Sequence, residues 1–275
     1  MTSVHARARE AIGSAEALIV TAGAGMGVDS GLPDFRGDEG FWKAYPPFGQ
    51  LGLRFVELAN PRWFERDPAL AWGFYGHRLH LYRDTVPHRG FEALRRQIAA
   101  LGGAGFVFTS NVDGQFHKAG FEPDRIVEAH GSIHHLQCVD PGCDSGIWEA
   151  AGVDVPVDVT TMRAASWPRC PACGATARPN ILMFGDGGWR FERSDLQERR
   201  LDRWLASLGD RRLVVIELGA GTAVPTVRHF SERVTRRPGA TLVRINPRES
   251  HGPEGTIAIP EGAVAALDRI LAVEP

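Results

Sequence analysis

Ala17-Leu18-Ile19-Val20-Thr21-Ala22-Gly23-Ala24-Gly25-Met26-Gly27 is the stretch that decides how this chain folds. The run Ala17–Thr21 is apolar without alternation, as in a strand buried on both faces of a parallel sheet. The closely spaced glycines after it let a backbone turn approach a pyrophosphate, whose charge sits well on amide N–H groups and a helix N-terminus. The spacing G-x-G-x-G is not the common G-x-G-x-x-G. By itself it says dinucleotide and no more, and a hydride-transferring enzyme would satisfy it equally. Further on, Pro33-Asp34-Phe35-Arg36 puts an aromatic ring and a guanidinium just beyond the turn, where a cofactor's reactive end would lie.

Outward from this stretch, short apolar runs alternate with helical patterns. Strands are expected at Ala17–Thr21, Gly105–Thr109, Arg125–Ala129, Leu213–Leu218 and Thr241–Ile245. Helices are expected at Val4–Ala15, Phe91–Leu101, Leu196–Leu208 and Thr226–Arg236. Ser194 and Gln197 have capping-box spacing at the head of the third helix, and Pro225 suits the first turn of the fourth. The alternation predicts an α/β fold, a Rossmann-like parallel sheet with helices on both faces.

Two insertions interrupt the pattern. One, 37–87, is rich in aromatic residues and reads as helices and loops forming a lid or cleft wall; the other, 136–178, carries every cysteine. The expected division is a discontinuous Rossmann-like dinucleotide-binding domain (1–36, 88–135 and 179–275), a helical and cofactor-loop insertion (37–87) and a zinc-binding module (136–178).

The chain has 275 residues, 43% apolar and 23% charged, with a net charge of −2, so strong non-specific attraction to nucleic acid is not expected. No apolar run approaches the roughly 20 residues of a membrane span. The first ten residues resemble the start of an amphipathic helix and show no secretory h-region, which favours a cytoplasmic location. In that compartment the clustering of Cys138, Cys143, Cys170 and Cys173 argues for metal rather than disulfides. Four thiolates suit tetrahedral Zn²⁺ and leave no open position, so the metal would be structural. A reactive Cys170/Cys173 dithiol is the weaker reading, since it leaves the other pair unexplained.

Several polar groups sit at strand ends. Thr109-Ser110-Asn111-Val112-Asp113-Gly114 follows one strand; Asn111 or Asp113 there makes either an Asx turn or a ligand contact. Glu128-Ala129-His130-Gly131-Ser132 follows another. His130 is a proton acceptor near neutral pH, and the glycine after it leaves room for a substrate. Arg178-Pro179-Asn180-Ile181-Leu182-Met183-Phe184-Gly185-Asp186 reads as a strand, and Gly219-Ala220-Gly221-Thr222 and Ile245-Asn246 end later ones. In the aromatic insertion Tyr75 and Arg78 lie one helical turn apart, with Ala59 sixteen positions before Tyr75.

Taken in order, the glycine motif, the Asn/Asp turn, the His-Gly pair, the four cysteines and the Ile181–Gly185 strand resemble the sirtuins, the NAD-consuming protein deacylases. The resemblance implies NAD as co-substrate, held by Ala22, Gly23, Ala24, Gly25, Met26, Asp34, Phe35, Arg36, Ser110, Asn111, Asp113, Gly219, Ala220, Gly221, Thr222 and Asn246. It implies His130 as general base with Asn111 beside it. It places acyl-lysine against Ile181, Met183, Phe184 and Gly185, entering opposite NAD, and gives the four cysteines one structural zinc.

The implied reaction displaces nicotinamide by attack of the acyl oxygen on the ribose, and ends in free lysine and O-acyl-ADP-ribose. Sirtuins that remove succinyl or malonyl groups share the Ala59, Tyr75 and Arg78 arrangement. The chain departs from the family at Ser110, usually glutamine, at Gly27, usually serine, and at Ala220-Gly221, usually Thr-Ser. These departures keep protein ADP-ribosyl transfer open, as well as a non-catalytic NAD or ADP-ribose sensor.

Overall fold

All six positions of Ala17–Ala22 are buried, as an unbroken apolar run inside a doubly covered sheet requires. The computed structural model describes residues 3–34 and 37–271. The chain begins with α1 (Val4–Gly13) and β1 (Ala17–Ala22). A helical stretch follows: α2 (Gly37–Ala44), α3 (Pro46–Gln50), α4 (Phe55–Leu58), α5 (Trp63–Arg66) and α6 (Pro68–Asp84). Next come α7 (Arg89–Ala100), β2 (Gly105–Thr109), α8 (Gln115–Lys118) and β3 (Ile126–Glu128). Five strands succeed one another without a helix: β4 (Gly131–Cys138), β5 (Ile147–Glu149), β6 (Val157–Asp158), β7 (Arg163–Ala164) and β8 (Ala177–Ile181). The chain closes with α9 (Glu192–Ser207), β9 (Leu213–Leu218), α10 (Thr226–Val234), β10 (Thr241–Ile245), β11 (Ile257–Ile259) and α11 (Ala263–Ile270).

The large sheet runs β11-β10-β9-β1-β2-β3, with every pairing parallel. Alternate residues of each strand face opposite helical layers. Leu18 and Val20 join Ile12, Leu94, Leu267 and Ile270 of α1, α7 and α11. Ala17 and Ile19 join Leu201, Trp204, Val227 and Phe230 of α9 and α10. From β1 the chain adds strands first toward β3 and later, from β9, toward β11. The order therefore reverses between β1 and β9, and their carboxyl ends open a crevice there.

The helical stretch and the second sheet, β5-β4-β8, share a core of their own. At its centre lies α6, buried on most sides, with Trp72, Phe74 and Tyr75 each no more than 1% exposed. Gly73 lets the β6–β7 ribbon approach it: a Cβ there would lie 1.9 Å from the Met162 carbonyl oxygen.

Two expectations need correction, and two elements lie beyond those expected. Ser194 and Gln197 form no capping box, because α9 begins earlier, at Glu192. Instead Ser194 Oγ donates to the Glu128 carbonyl, and Gln197 Oε1 accepts from the Glu128 amide, so both side chains clamp edge strand β3. The glycine after His130 makes no room for substrate. Gly131 has φ 78°, and a Cβ on it would sit 2.0 Å from the Asn180 carbonyl oxygen, so its freedom serves the close approach of β4 and β8. Finally β11 and α11 lay outside the expected elements: three residues are too few to show a period, although Ala263–Ile270 buries one face like its neighbours.

Candidate active site

The crevice at the switch point is a cavity of about 600 Å³, within the size range of small-ligand sites. Its floor is two turns pressed together. A Cβ on Gly25 would lie 2.7 Å from Gly219 Cα, and one on Gly23 would lie 2.8 Å from Ala220 Cα. Gly219 itself has φ 62°. These glycines are therefore required by contact between the loops after β1 and β9, a reason additional to backbone approach by a ligand.

The turn after β2 is tied to this floor. Thr109 Oγ1 donates to the Ala22 carbonyl at 2.9 Å, and Asn111 Nδ2 donates to the Gly23 carbonyl at 3.0 Å. Asp113 accepts from the Gln115 amide, and His134 Nε2 pairs with the Asp113 carbonyl. Burial raises the Asp113 pKa to about 6, against the bond from Gln115 and with the nearby Glu128 charge adding to the rise. Glu128 behaves oppositely. Burial works to raise it, but His117 and Arg193 more than offset that and bring it to about 2. It is thus a buried anion turned to Arg193, with which it pairs. His130 lines the cavity, its Nε2 3.0 Å from Thr226 Oγ1, and burial lowers its pKa, keeping the ring neutral at pH 7.

The opposite wall comes from the helical layer and β8. Ala59, Tyr75, Arg78, Ile181, Met183 and Phe184 all line the cavity. Tyr82, which the sequence reading overlooked, lines it too and accepts from Arg78 Nε and Nη2 at 2.9 and 2.6 Å. Its signal was available, for it lies four residues after Arg78 on one helix face. Asp38 also borders the cavity.

Gly23, Ala24, Gly25, Asp34, Ser110, Asn111, Asp113, Gly219, Ala220 and Gly221 thus converge on the cavity with His130. Others do not line it. Ala22 and Met26 are fully buried in the sheet core. Asn246 is fully buried and holds the neighbouring turns, donating to the Ala220 carbonyl and accepting from the amides of Arg248 and Glu249. Thr222 donates to Glu249, and Gly185 forms the left-handed turn after β8. Phe35 and Arg36 lie outside the described residues.

Away from the crevice, the Sγ atoms of Cys138, Cys143, Cys170 and Cys173 lie within 4.8 Å of one another. Cys138–Cys173 and Cys143–Cys170 are each 3.6 Å apart. Tetrahedral zinc with Zn–S near 2.3 Å puts its sulfurs about 3.8 Å apart, so the four residues fit one zinc ion with no position left for substrate.

Fold and crevice together define a dinucleotide-binding α/β enzyme with a thiolate metal site. The chain belongs to the Sir2 family, the sirtuins, whose profile matches residues 23–201. It is 31% identical to an NAD-dependent protein deacylase of Thermus thermophilus, over 98% of this chain and 94% of the relative. It is 33% identical to NAD-dependent protein deacylase 2 of Pyrobaculum aerophilum, over 87% of this chain and 83% of the relative. Among solved structures it is similar to a Sir2 homologue–NAD complex, with a TM-score of 0.71 and 25% identity, covering 96% of this chain and 91% of the other. A Sir2 homologue mutant bound to ADP ribose matches with a TM-score of 0.71 and 26% identity, covering 96% and 94%. The hydride-transfer reading falls with this membership.

Proposed function

We propose that this chain is an NAD-dependent protein-lysine deacylase. NAD supplies the electrophilic ribose carbon that accepts the acyl oxygen, with nicotinamide leaving. The chain's residues do the rest. The interlocked turns at Gly23–Gly25 and Gly219–Gly221 cradle the phosphates, and Asn111 and Asp113 hold the nicotinamide ribose and carboxamide. His130, neutral in its buried setting, takes a proton from a ribose hydroxyl. Acyl-lysine joins the outer edge of β8 at its Ile181 end, since β8 is the outer strand of β5-β4-β8 and its Ala177 end is already bonded to Pro168 and Trp72, and its acyl chain passes between Ile181, Met183 and Phe184. The observation that carries this reading is the convergence of both turns, the Asn/Asp pair, His130 and the β8 strand on one cavity.

The test is labelled NAD mixed with an acylated peptide. Formation of O-acyl-ADP-ribose with release of free lysine is expected. Label on protein would indicate ADP-ribosyl transfer, and no product at all would indicate a sensor.

Acidic acyl groups are the finer proposal. Arg78 and Tyr75 border the same cavity beside the small Ala59, and a guanidinium suits a terminal carboxylate. We also place the protein in the cytoplasm, because its cysteines gather as metal ligands rather than disulfides. No described helix is long and apolar enough to cross a membrane.

A further inference from the structure

We infer that Thr226 is a positioning residue for the general base, its hydroxyl accepting the Nε2 proton of His130 and so leaving Nδ1 to take the ribose proton. This rests on His130 being the base. His130 Nε2 and Thr226 Oγ1 are 3.0 Å apart, and Thr226 is the first residue of α10 (Thr226–Val234). A base needs a neutral ring in one tautomer, and which nitrogen carries the proton is set by the bond the other nitrogen makes.

The setting makes this bond consequential. Burial keeps the ring neutral, and the positive end of α10 acts in the same direction, since a helix N-terminus disfavours an imidazolium. The titratable groups on the elements around the ring are Asp113 after β2, Glu128 on β3, His134 and His135 on β4, and Arg228, His229, Glu232 and Arg233 on α10. Glu128 pairs with Arg193, while Arg228 donates to the carbonyls of Glu249 and His251. When His130 takes a proton, the Thr226 oxygen is the acceptor that stabilises the new charge on the ring.

The experiment compares wild type with Thr226→Val, Thr226→Ser and His130→Ala, each confirmed folded by its melting temperature. Turnover is followed from pH 5 to 9 with saturating NAD and an acetyl-lysine peptide. Thr226→Val should lose about three- to tenfold in kcat, the worth of one net hydrogen bond, with KM for both substrates little changed. Its acid limb should move to lower pH, because the imidazolium has lost an acceptor. Thr226→Ser should restore rate and limb.

In the ligand-free wild type, ¹⁵N imidazole shifts should place the proton on Nε2. An unaffected Thr226→Val, a Thr226→Ser as impaired as the valine variant, or a proton on Nδ1 would each overturn the inference. A His130→Ala enzyme with near-wild-type turnover would overturn the base assignment itself and this inference with it. An inactive His130→Ala beside an unaffected Thr226→Val overturns the inference alone.

Discussion

Asp113 and Arg78 show how burial prepares single side chains in this cavity. Burial raises Asp113 from 3.8 to about 6, so its ionisation opposes folding. The sign follows from linkage. Below about pH 4 the group is protonated in both states and has no effect. Between pH 4 and 6 the unfolded chain ionises first and stability falls; above pH 6 the full penalty, about 1–3 kcal/mol, remains. Asp113→Asn keeps an acceptor for the Gln115 amide. Thermal melts should therefore show it more stable than wild type at pH 8 and no more stable at pH 4, while deacylation falls. Equal melting temperatures at pH 8 would contradict the buried-anion account. On the proposed reading, Arg78 sets the acyl preference. Tyr75, pushed up to about 12 by burial, stays a hydroxyl donor at neutral pH, and Arg78 lies beside it with Tyr82 fixing one edge of the guanidinium. A charge-assisted bond to a succinyl or malonyl carboxylate contributes about 1.5–3 kcal/mol, roughly a 10- to 150-fold preference. Asp38 at the cavity wall works against it. Arg78→Met should lower kcat/KM for succinyl- and malonyl-lysine peptides far more than for acetyl-lysine; an equal loss on all three would return Arg78 to a packing role.

The join between β4 and β8 is where local geometry fixes the site, and Gly131 tests it. Its φ of 78° and the Asn180 carbonyl, 2.0 Å from where a Cβ would stand, forbid a side chain. Next to it the Leu182 amide donates to the His130 carbonyl at 2.9 Å, so a shift of β8 is felt at His130. Gly131→Ala should lower the melting temperature and raise KM for peptide together, and a variant with wild-type values for both would show that the strands can part. That join was not legible in the sequence, because a glycine after a histidine reads equally as space for a ligand. The parallel strands were legible, since burial on both faces leaves apolar runs such as Leu213–Leu218 with no competing period. The cysteine pairs were legible by spacing. Ser194 and Gln197 were misread because capping and strand-clamping use the same residue types, and only the start of α9 at Glu192 separates them. Thr226 left no trace at all. Its partner lies 96 residues away, and one hydroxyl in a helical first turn is unremarkable by sequence.

Two separate bodies of packing meet at the crevice, and zinc belongs to one of them. The four cysteines, β4, β8 and the helical stretch lie outside the two cores that flank the large sheet. A polar chain links the cysteine cluster to β8 and the turn beyond it. Arg190 donates to the Cys143 carbonyl, and its own amide donates to Gln137 Oε1. Asn180 Nδ2 donates to that same oxygen, while Gln137 Nε2 donates to the Gly188 carbonyl in the turn beyond β8. Arg178 and Asp186 brace the same turn as a buried pair at 2.7 Å, and Asp186 accepts from the Met183 amide. Without zinc, four thiolates within 4.8 Å of one another have nothing to hold them, and metal binding and local folding are coupled. Loss should pass along this chain to β8, whereas the sheet that carries the glycine turns has helices and apolar contacts of its own. Chelation under reducing conditions should therefore release about one zinc per chain and abolish acyl-peptide binding first. ADP-ribose binding, followed by calorimetry on the same sample, should weaken much less, and far-UV circular dichroism should retain most of its helical signal. Simultaneous loss of both ligands would show that the two bodies fold as one cooperative unit, and a folded, fully active protein without metal would remove zinc from the site altogether.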